Sequence, residues 1–263
     1  MARYCLYYWP QIPGRGEFVR LAFEYAKVPF TEVNDIEKLQ ALTDPKRGEA
    51  GRPPHFAVPL LEVQQGDTRA FVSQTPAILD YLAPTLGLAG TQPDVDPAVT
   101  RANILQLTLT ALDWANEAHN VHHPMYVHTL TAAASDSTTS NRKRPQPRLP
   151  SSSVRSASRS LRRYACAPLT QYFEAALAQN TRATNVRRTL GTTTSIADLV
   201  LFQVLEGLHF AFPRTMQQMA SSTPELGRFR SELASELDAY LHSTRRRAFS
   251  DGLFRHYPEL DAP

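Results

Sequence analysis

Three places in this 263-residue chain combine residue types and spacing that could do chemistry. The first is Tyr7-Tyr8-Trp9-Pro10, followed after a short gap by Gly14-Arg15-Gly16-Glu17. A phenolic hydroxyl at the end of a strand can donate a hydrogen bond to an anion and favour its charged form. The second is Val58-Pro59. An X–Pro bond there is either an ordinary trans bond at the start of a strand or a cis bond kept by a tight turn. The third is Gln74-Thr75-Pro76, which opens a helix with proline in its first turn. The free N–H groups and positive end of such a helix suit a carboxylate.

Two other groups of reactive residues point to less. His119, His122 and His123 invite a metal reading, because 119 and 123 share a helix face. They lack a His-Glu-x-x-His order and a nearby cysteine, so polar residues at a helix end, facing solvent or a cleft, are expected and no metal is. Cys5 and Cys166 form no Cys-x-x-Cys pair and no disulfide framework, and Cys5 reads as a structural thiol in a strand. With no export signal in view, a cytoplasmic, reducing compartment is expected.

The elements that must position these residues follow from periodicity. Residues 3 to 8 read as a strand ended by Pro10, and Gly14 to Val28 as a helix with Phe18, Leu21, Ala22 and Tyr25 on one stripe. Phe30 to Val33 reads as a second strand, giving a parallel pair with a right-handed crossover. Asp44 to Pro54 is polar and proline-rich loop. Val58 to Val63 and Arg69 to Val72 form a hairpin around Gln64-Gln65-Gly66-Asp67, and a helix spans about 74–86 with Ile78, Leu79 and Leu82 facing one way. Beyond a linker at 87–96 no strand appears. Helices are expected at about 97–120, 160–180, 195–211 and 224–243. The third of these opens on a capping box, Ser195-Ile196-Ala197-Asp198, and its apolar run to Phe212 reads as the spine of a helical domain. The expected divisions are 1–86, the linker, and 97–263 with a Ser/Thr/Pro/Arg-rich insert at about 132–160.

Charge is divided as unevenly as the elements. Residues 142 to 163 hold eight of the 28 basic residues and no acidic one. The remaining 20 bases against all 25 acids leave the rest of the chain at −5, although the whole sums to +3. The basic stretch lacks the aromatic interleaving of a single-strand reader and any groove-entering motif, so a solvated loop is the reading and nucleic acid is disfavoured. No apolar run reaches the length of a membrane span, and 42% hydrophobic content excludes a wholly disordered chain.

Taken in order, these motifs resemble the cytosolic glutathione transferases. Tyr8-Trp9-Pro10 with Gly14-Arg15-Gly16-Glu17-Phe18-Val19-Arg20-Leu21 is similar to the opening of the tyrosine-type classes (sigma, mu, pi). Val58-Pro59-Leu60-Leu61 is similar to the Val-Pro-x-Leu before the third strand, and Gln74 to Leu82 to the Gln-Ser-x-Ala-Ile-x-x-Tyr-Leu that follows it. The Ser195–Asp198 box matches in the helical half. Glu117 to Pro124 and the tail Tyr257 to Asp261 most resemble a fungal and bacterial branch. The resemblance covers roughly 1–120 and 164–258 and leaves the basic loop unmatched.

The resemblance implies a thioredoxin-like N-terminal domain (α/β) followed by an all-α, all-helical C-terminal domain. It implies a detoxifying transferase that joins the glutathione thiolate to a hydrophobic electrophile, works as a homodimer, and uses glutathione as co-substrate with no further cofactor. Tyr8 would stabilise the thiolate, with Tyr7 or no catalytic tyrosine left open by the residues themselves. Val58 and Pro59 would meet the cysteinyl unit, Gln74 and Thr75 the γ-glutamyl end, and Arg15 the ligand, with Glu17 or a domain contact equally open to it. Lys46, Arg47 and Arg52 are candidates for the glycine end. Trp114 and His119 would line the acceptor pocket. The alternative on the same fold is a non-catalytic protein that binds glutathione or hydrophobic ligands.

Overall fold

The computed structural model describes residues 2–47, 53–134, 167–250, 252–258 and 260–261, with the side chains of 122–134 and 167 left out. The expected insert therefore lies outside the described residues except for 132–134, which are helical. Strand β1 (Arg3–Tyr7) is followed by α1 (Gly16–Ala26), β2 (Thr31–Val33) and α2 (Ile36–Leu42). Then come β3 (Leu60–Gln65), β4 (Thr68–Ser73) and α3 (Thr75–Thr85). The four strands form one sheet in the order β2-β1-β3-β4, with β1 and β2 parallel and the other pairs antiparallel. The β3–β4 hairpin turns on two residues, and Gly66 takes the positive φ of 58° that such a turn requires.

Alternation along β1 decides which layer each side chain joins. Tyr4 and Leu6 face the layer holding Phe18, Leu21, Ala22, Ile78, Leu79 and Leu82, as the helical stripes predict. Tyr7 points the other way, into a small cluster with Leu39 and Leu60 under α2. Helix α1 ends at Lys27, whose φ of 55° is left-handed and whose N–H returns to Glu24 and Phe23 carbonyls; Pro29 then blocks continuation.

The second half is helical: α4 (Pro97–Ala134), α5 (Ala167–Thr184), α6 (Ile196–Ala211), α7 (Pro213–Met219), α8 (Pro224–Glu236) and α9 (Asp238–Leu241). Helix α4 runs well past its expected end at 120, to Ala134, and the expected helix over 224–243 is two pieces. Helix α7 was not expected at all. It begins at Pro213, the first-turn position where proline's missing N–H costs nothing. Among the described residues no single helix is long and apolar enough to cross a membrane.

Helix α6 is the spine. Leu199, Val200, Leu201, Phe202, Val204, Leu205 and Leu208 are all fully buried, and the helix packs on α4 and on α1. Asp198 fixes its start: it accepts from the N–H and Oγ of Ser195 (2.8 Å each) and from the N–H (2.7 Å) and Oγ (2.9 Å) of Thr189. Burial raises the Asp198 pKa, and those four bonds act against the rise. The tail does the same for α7, where the Asp261 carboxylate accepts from the N–H groups of Arg214 (2.7 Å) and Thr215 (2.9 Å).

Candidate functional site

Tyr8 follows directly on β1 and keeps the strand's alternation, so its ring faces α1. Its N–H bonds the Val33 carbonyl (3.1 Å) and its own carbonyl accepts from Asn34 Nδ2 (2.9 Å). The ring is covered by the start of α1 so closely that only glycine fits there. A Cβ on Gly14 would stand 2.1 Å from the Tyr8 hydroxyl, and one on Gly16 2.6 Å from ring carbon Cγ. The hydroxyl oxygen accepts the Arg15 N–H at 2.7 Å, and among the described residues its own proton meets no acceptor. The Arg20 guanidinium lies 5.6 Å from the ring centroid. Burial raises the Tyr8 pKa, while the Arg15 and Gly16 N–H groups and the Arg15 and Arg20 charges act the other way. Tyr8 is thus a neutral phenol at physiological pH, with a proton to give.

Tyr7 is differently occupied. Its hydroxyl donates to Glu62 Oε2 at 2.6 Å and receives Arg69 Nη2 at 3.4 Å. Burial first, then the Glu62 carboxylate, pushes its pKa up to about 12. The sequence left Tyr7 open as the alternative; its proton is committed to a carboxylate on the far face of the sheet.

The Val58–Pro59 peptide bond is cis, and Val58 stands before β3, outside its ladder. Its backbone groups have no backbone partner among the described residues. Just past the end of β4, Gln74 adopts φ 73° and ψ 122°, a conformation that a side chain bearing Cβ rarely takes. The turn delivers Thr75 to the first position of α3, where no side chain caps the helix. Thr75 is 4% exposed and its Oγ has no partner among the described residues. A buried hydroxyl without a partner beside uncapped helix N–H groups is an arrangement that an acceptor-rich group would complete.

The remaining expected residues divide. The Arg15 guanidinium spans the domains to Asn116 Oδ1 on α4 at 2.9 Å, a domain contact. Trp114 is 0% exposed and stacks on Phe173 with planes 7° apart. It is a core side chain of the helical domain, and the structure does not bring it to any surface where an acceptor would bind. Its place late in the helix expected over 97–120 suggested a cleft; the rotation of the helix turns it inward. His119 is half-buried on α4, and the side chains of His122 and His123 lie outside the described residues. Among the described residues no group of three His, Cys, Asp or Glu is placed to hold a metal. Lys46 and Arg47 are exposed on a short 3-10 turn, and Arg52 lies outside the described residues.

One group was missed from the sequence. Arg245, Arg246 and Arg247 follow α9 and reach across to three carboxylates of the N-terminal domain, Glu24, Glu17 and Glu32 respectively. Glu17 is 0% exposed; it also receives the hydroxyl of Tyr240 and Arg20 Nη1 (2.9 Å). Arg20, itself 1% exposed, binds Glu32 at 2.7 Å, and these arginine contacts outweigh burial to hold the Glu32 carboxyl below the usual range. Three consecutive arginines read from sequence alone as a solvated charge run, and no spacing rule ties them to acids more than 200 residues away.

The four-stranded mixed sheet with a cis-proline just before β3, followed by the helical half, is the glutathione transferase fold. Residues 154–244 match the family model described as glutathione S-transferase, C-terminal domain. Among solved structures, the chain is similar to the sigma class enzyme of Fasciola hepatica (19% identity, 95% of this chain and 98% of that one, TM-score 0.63). It is similar too to the Nu-class protein of Haemonchus contortus (19%, 95% and 99%, 0.61) and to the glutathione S-transferase of Ascaris lumbricoides (20%, 94% and 98%, 0.59). No curated protein matches the sequence.

Proposed function

We propose that this chain is a glutathione transferase of the tyrosine type, joining glutathione through sulfur to an electrophilic small molecule. The observation that carries the reading is the Tyr8 hydroxyl, which accepts the Arg15 N–H at 2.7 Å and keeps its own proton to donate. A phenol oxygen that accepts an N–H bond is a stronger donor through its O–H. Donation to a bound sulfur favours the thiolate over the thiol. A thiol near pKa 8.5 is only a few per cent ionised at pH 7; a fall of about two units, worth about 2.7 kcal/mol, makes it mostly thiolate.

In this reading the cysteinyl unit pairs with the Val58 backbone beside Pro59. The γ-glutamyl carboxylate sits on Thr75 and the Gln74 turn at the start of α3. The thiol proton leaves to solvent, sulfur forms the bond to carbon, and the leaving group departs with its electron pair while Tyr8 stays protonated. The co-substrate is glutathione, with no further cofactor. The Tyr-Trp-Pro opening and the Tyr257–Asp261 tail support the fungal and bacterial affinity, and a cytoplasmic detoxifying role goes with the activity. The homodimer is supported by large apolar side chains left in solvent, Phe56 at 88% exposure and Val99 at 50% among them.

The test is conjugation of glutathione to an aryl halide by the wild type and by Tyr8→Phe, with glutathione binding measured calorimetrically on both. Loss of most of the rate with binding retained is the expected result. Binding without conjugation in the wild type would instead establish the non-catalytic alternative. Light scattering gives the oligomeric state.

A further inference from the structure

The loop that carries the chain from Tyr8 to Arg15 has to hold the Arg15 N–H on the Tyr8 oxygen, and most of what holds it comes from elsewhere. Within the loop there is one short bond, Ile12 N–H to the Pro10 carbonyl (2.9 Å), and Gln11 at a positive φ of 65°. The Trp9 and Ile12 carbonyls are both held by Nη1 of Arg247, at 2.9 and 3.2 Å. The Pro13 carbonyl accepts from Arg20 Nη1 and from the Glu17 N–H, both at 3.1 Å, and the Gly14 carbonyl accepts the same N–H at 3.3 Å. Both guanidiniums are anchored on Glu32, Arg247 through Nη2 at 2.5 Å, with Asn34 Oδ1 at 3.3 Å beside it.

We infer that Arg247, from the segment after the helical domain, is a positioning residue for Tyr8. It rests on the reading of Tyr8 as the thiolate donor. A planar guanidinium can bind two loop carbonyls through one nitrogen and a carboxylate through the other. An ammonium concentrates its charge at one point and cannot reach both sides. The charged groups facing this loop are Arg15, Glu17 and Arg20 from its own side, Glu32 from β2, and Arg246 and Arg247 from the C-terminal segment. None of the Arg247 contacts touches Val58, Gln74 or Thr75, so the residue bears on sulfur ionisation and leaves glutathione binding alone.

The experiment is the pH profile of kcat/KM for conjugation in the wild type, Arg247→Lys, Arg247→Ala and Arg245→Ala. Arg245 makes a comparable interdomain pair with Glu24 but does not touch the loop. Arg247→Ala is expected to move the acidic limb up by about one unit, a tenfold lower rate below it, with the glutathione KM changed less than about twofold. Arg247→Lys should shift in the same direction by less, and Arg245→Ala should keep the wild-type limb. An unshifted limb in both Arg247 variants overturns the inference. So does unfolding of both at room temperature, since the residue would then hold the whole fold and not the loop. Tyr8→Phe in parallel separates the two claims. If it leaves rate and pH profile unchanged, the reading of Tyr8 fails; if it abolishes the limb while Arg247→Ala does not move it, only the inference about Arg247 fails.

Discussion

Two adjacent tyrosines leave β1 toward opposite faces of the sheet, and their surroundings give them opposite chemistry. Tyr7 has a carboxylate to donate to and an arginine above it, and its proton is bound in a closed network on the α2 side. Tyr8 has backbone N–H groups and cations around its oxygen and glycines over its ring, and its proton is uncommitted. Both are buried, at 7% and 5% exposure, so burial alone does not separate them. What separates them is whether the hydroxyl faces a group that accepts or groups that donate. A hydroxyl already donating to a carboxylate is a structural tie; one that only accepts is a donor waiting for an anion.

The sharpest way to break this contrast is to remove each hydroxyl in turn. Tyr8→Phe is expected to lower kcat for conjugation about a hundredfold, the rate equivalent of about 2.7 kcal/mol, with fold and glutathione binding kept. Tyr7→Phe should leave kcat within about twofold and cost about 0.5–1.5 kcal/mol in urea unfolding, since Glu62 keeps its two-pronged contact with Arg69. Equal kinetic losses in the two variants would erase the distinction. Gly16→Ala, whose Cβ would collide with the Tyr8 ring, should destabilise by about 1–3 kcal/mol. Gly227→Ala, in open space within α8, should stabilise by about 0.5–1 kcal/mol in the same assay. The last test is alkaline. The Tyr7 pKa rises on folding from 10 to about 12. Its contribution to stability is therefore complete below pH 10 and is lost as pH climbs toward 12. Unfolding curves of wild type and Tyr7→Phe should converge over that window.

Much of the fold and part of the site are legible in the amino-acid sequence. The short aromatic and aliphatic runs of β1, β3 and β4, the hairpin at Gly66, the end of α1 before Pro29 and the proline-marked start of α3 are local signals, each settled within a few residues. The capping box at Ser195 is another. The relation of Tyr7 to Tyr8 is also local, because alternation fixes their opposite faces; only the groups waiting on each face depend on the tertiary fold. The long-range pairings are not legible. Arg247 finds the Ile12 carbonyl, and Asp261 finds the start of α7, across separations of 235 and 46 residues. Sequence pattern carries no trace of such partners. Trp114 shows the same limit in a helix: its heading depends on which of two apolar sides packs against Phe173, and long-range packing made that choice.

The buried Glu17 also bears on how the protein is made. Its partners Tyr240 and Arg246 are synthesised more than 220 residues after it. At roughly 5–20 residues per second, Glu17 is made about 10–45 seconds before either of them. A desolvated carboxylate without its cations is strongly unfavourable, and during that interval only Arg20 is at hand. Glu17 therefore completes its set of partners only when translation has delivered Tyr240 and Arg246.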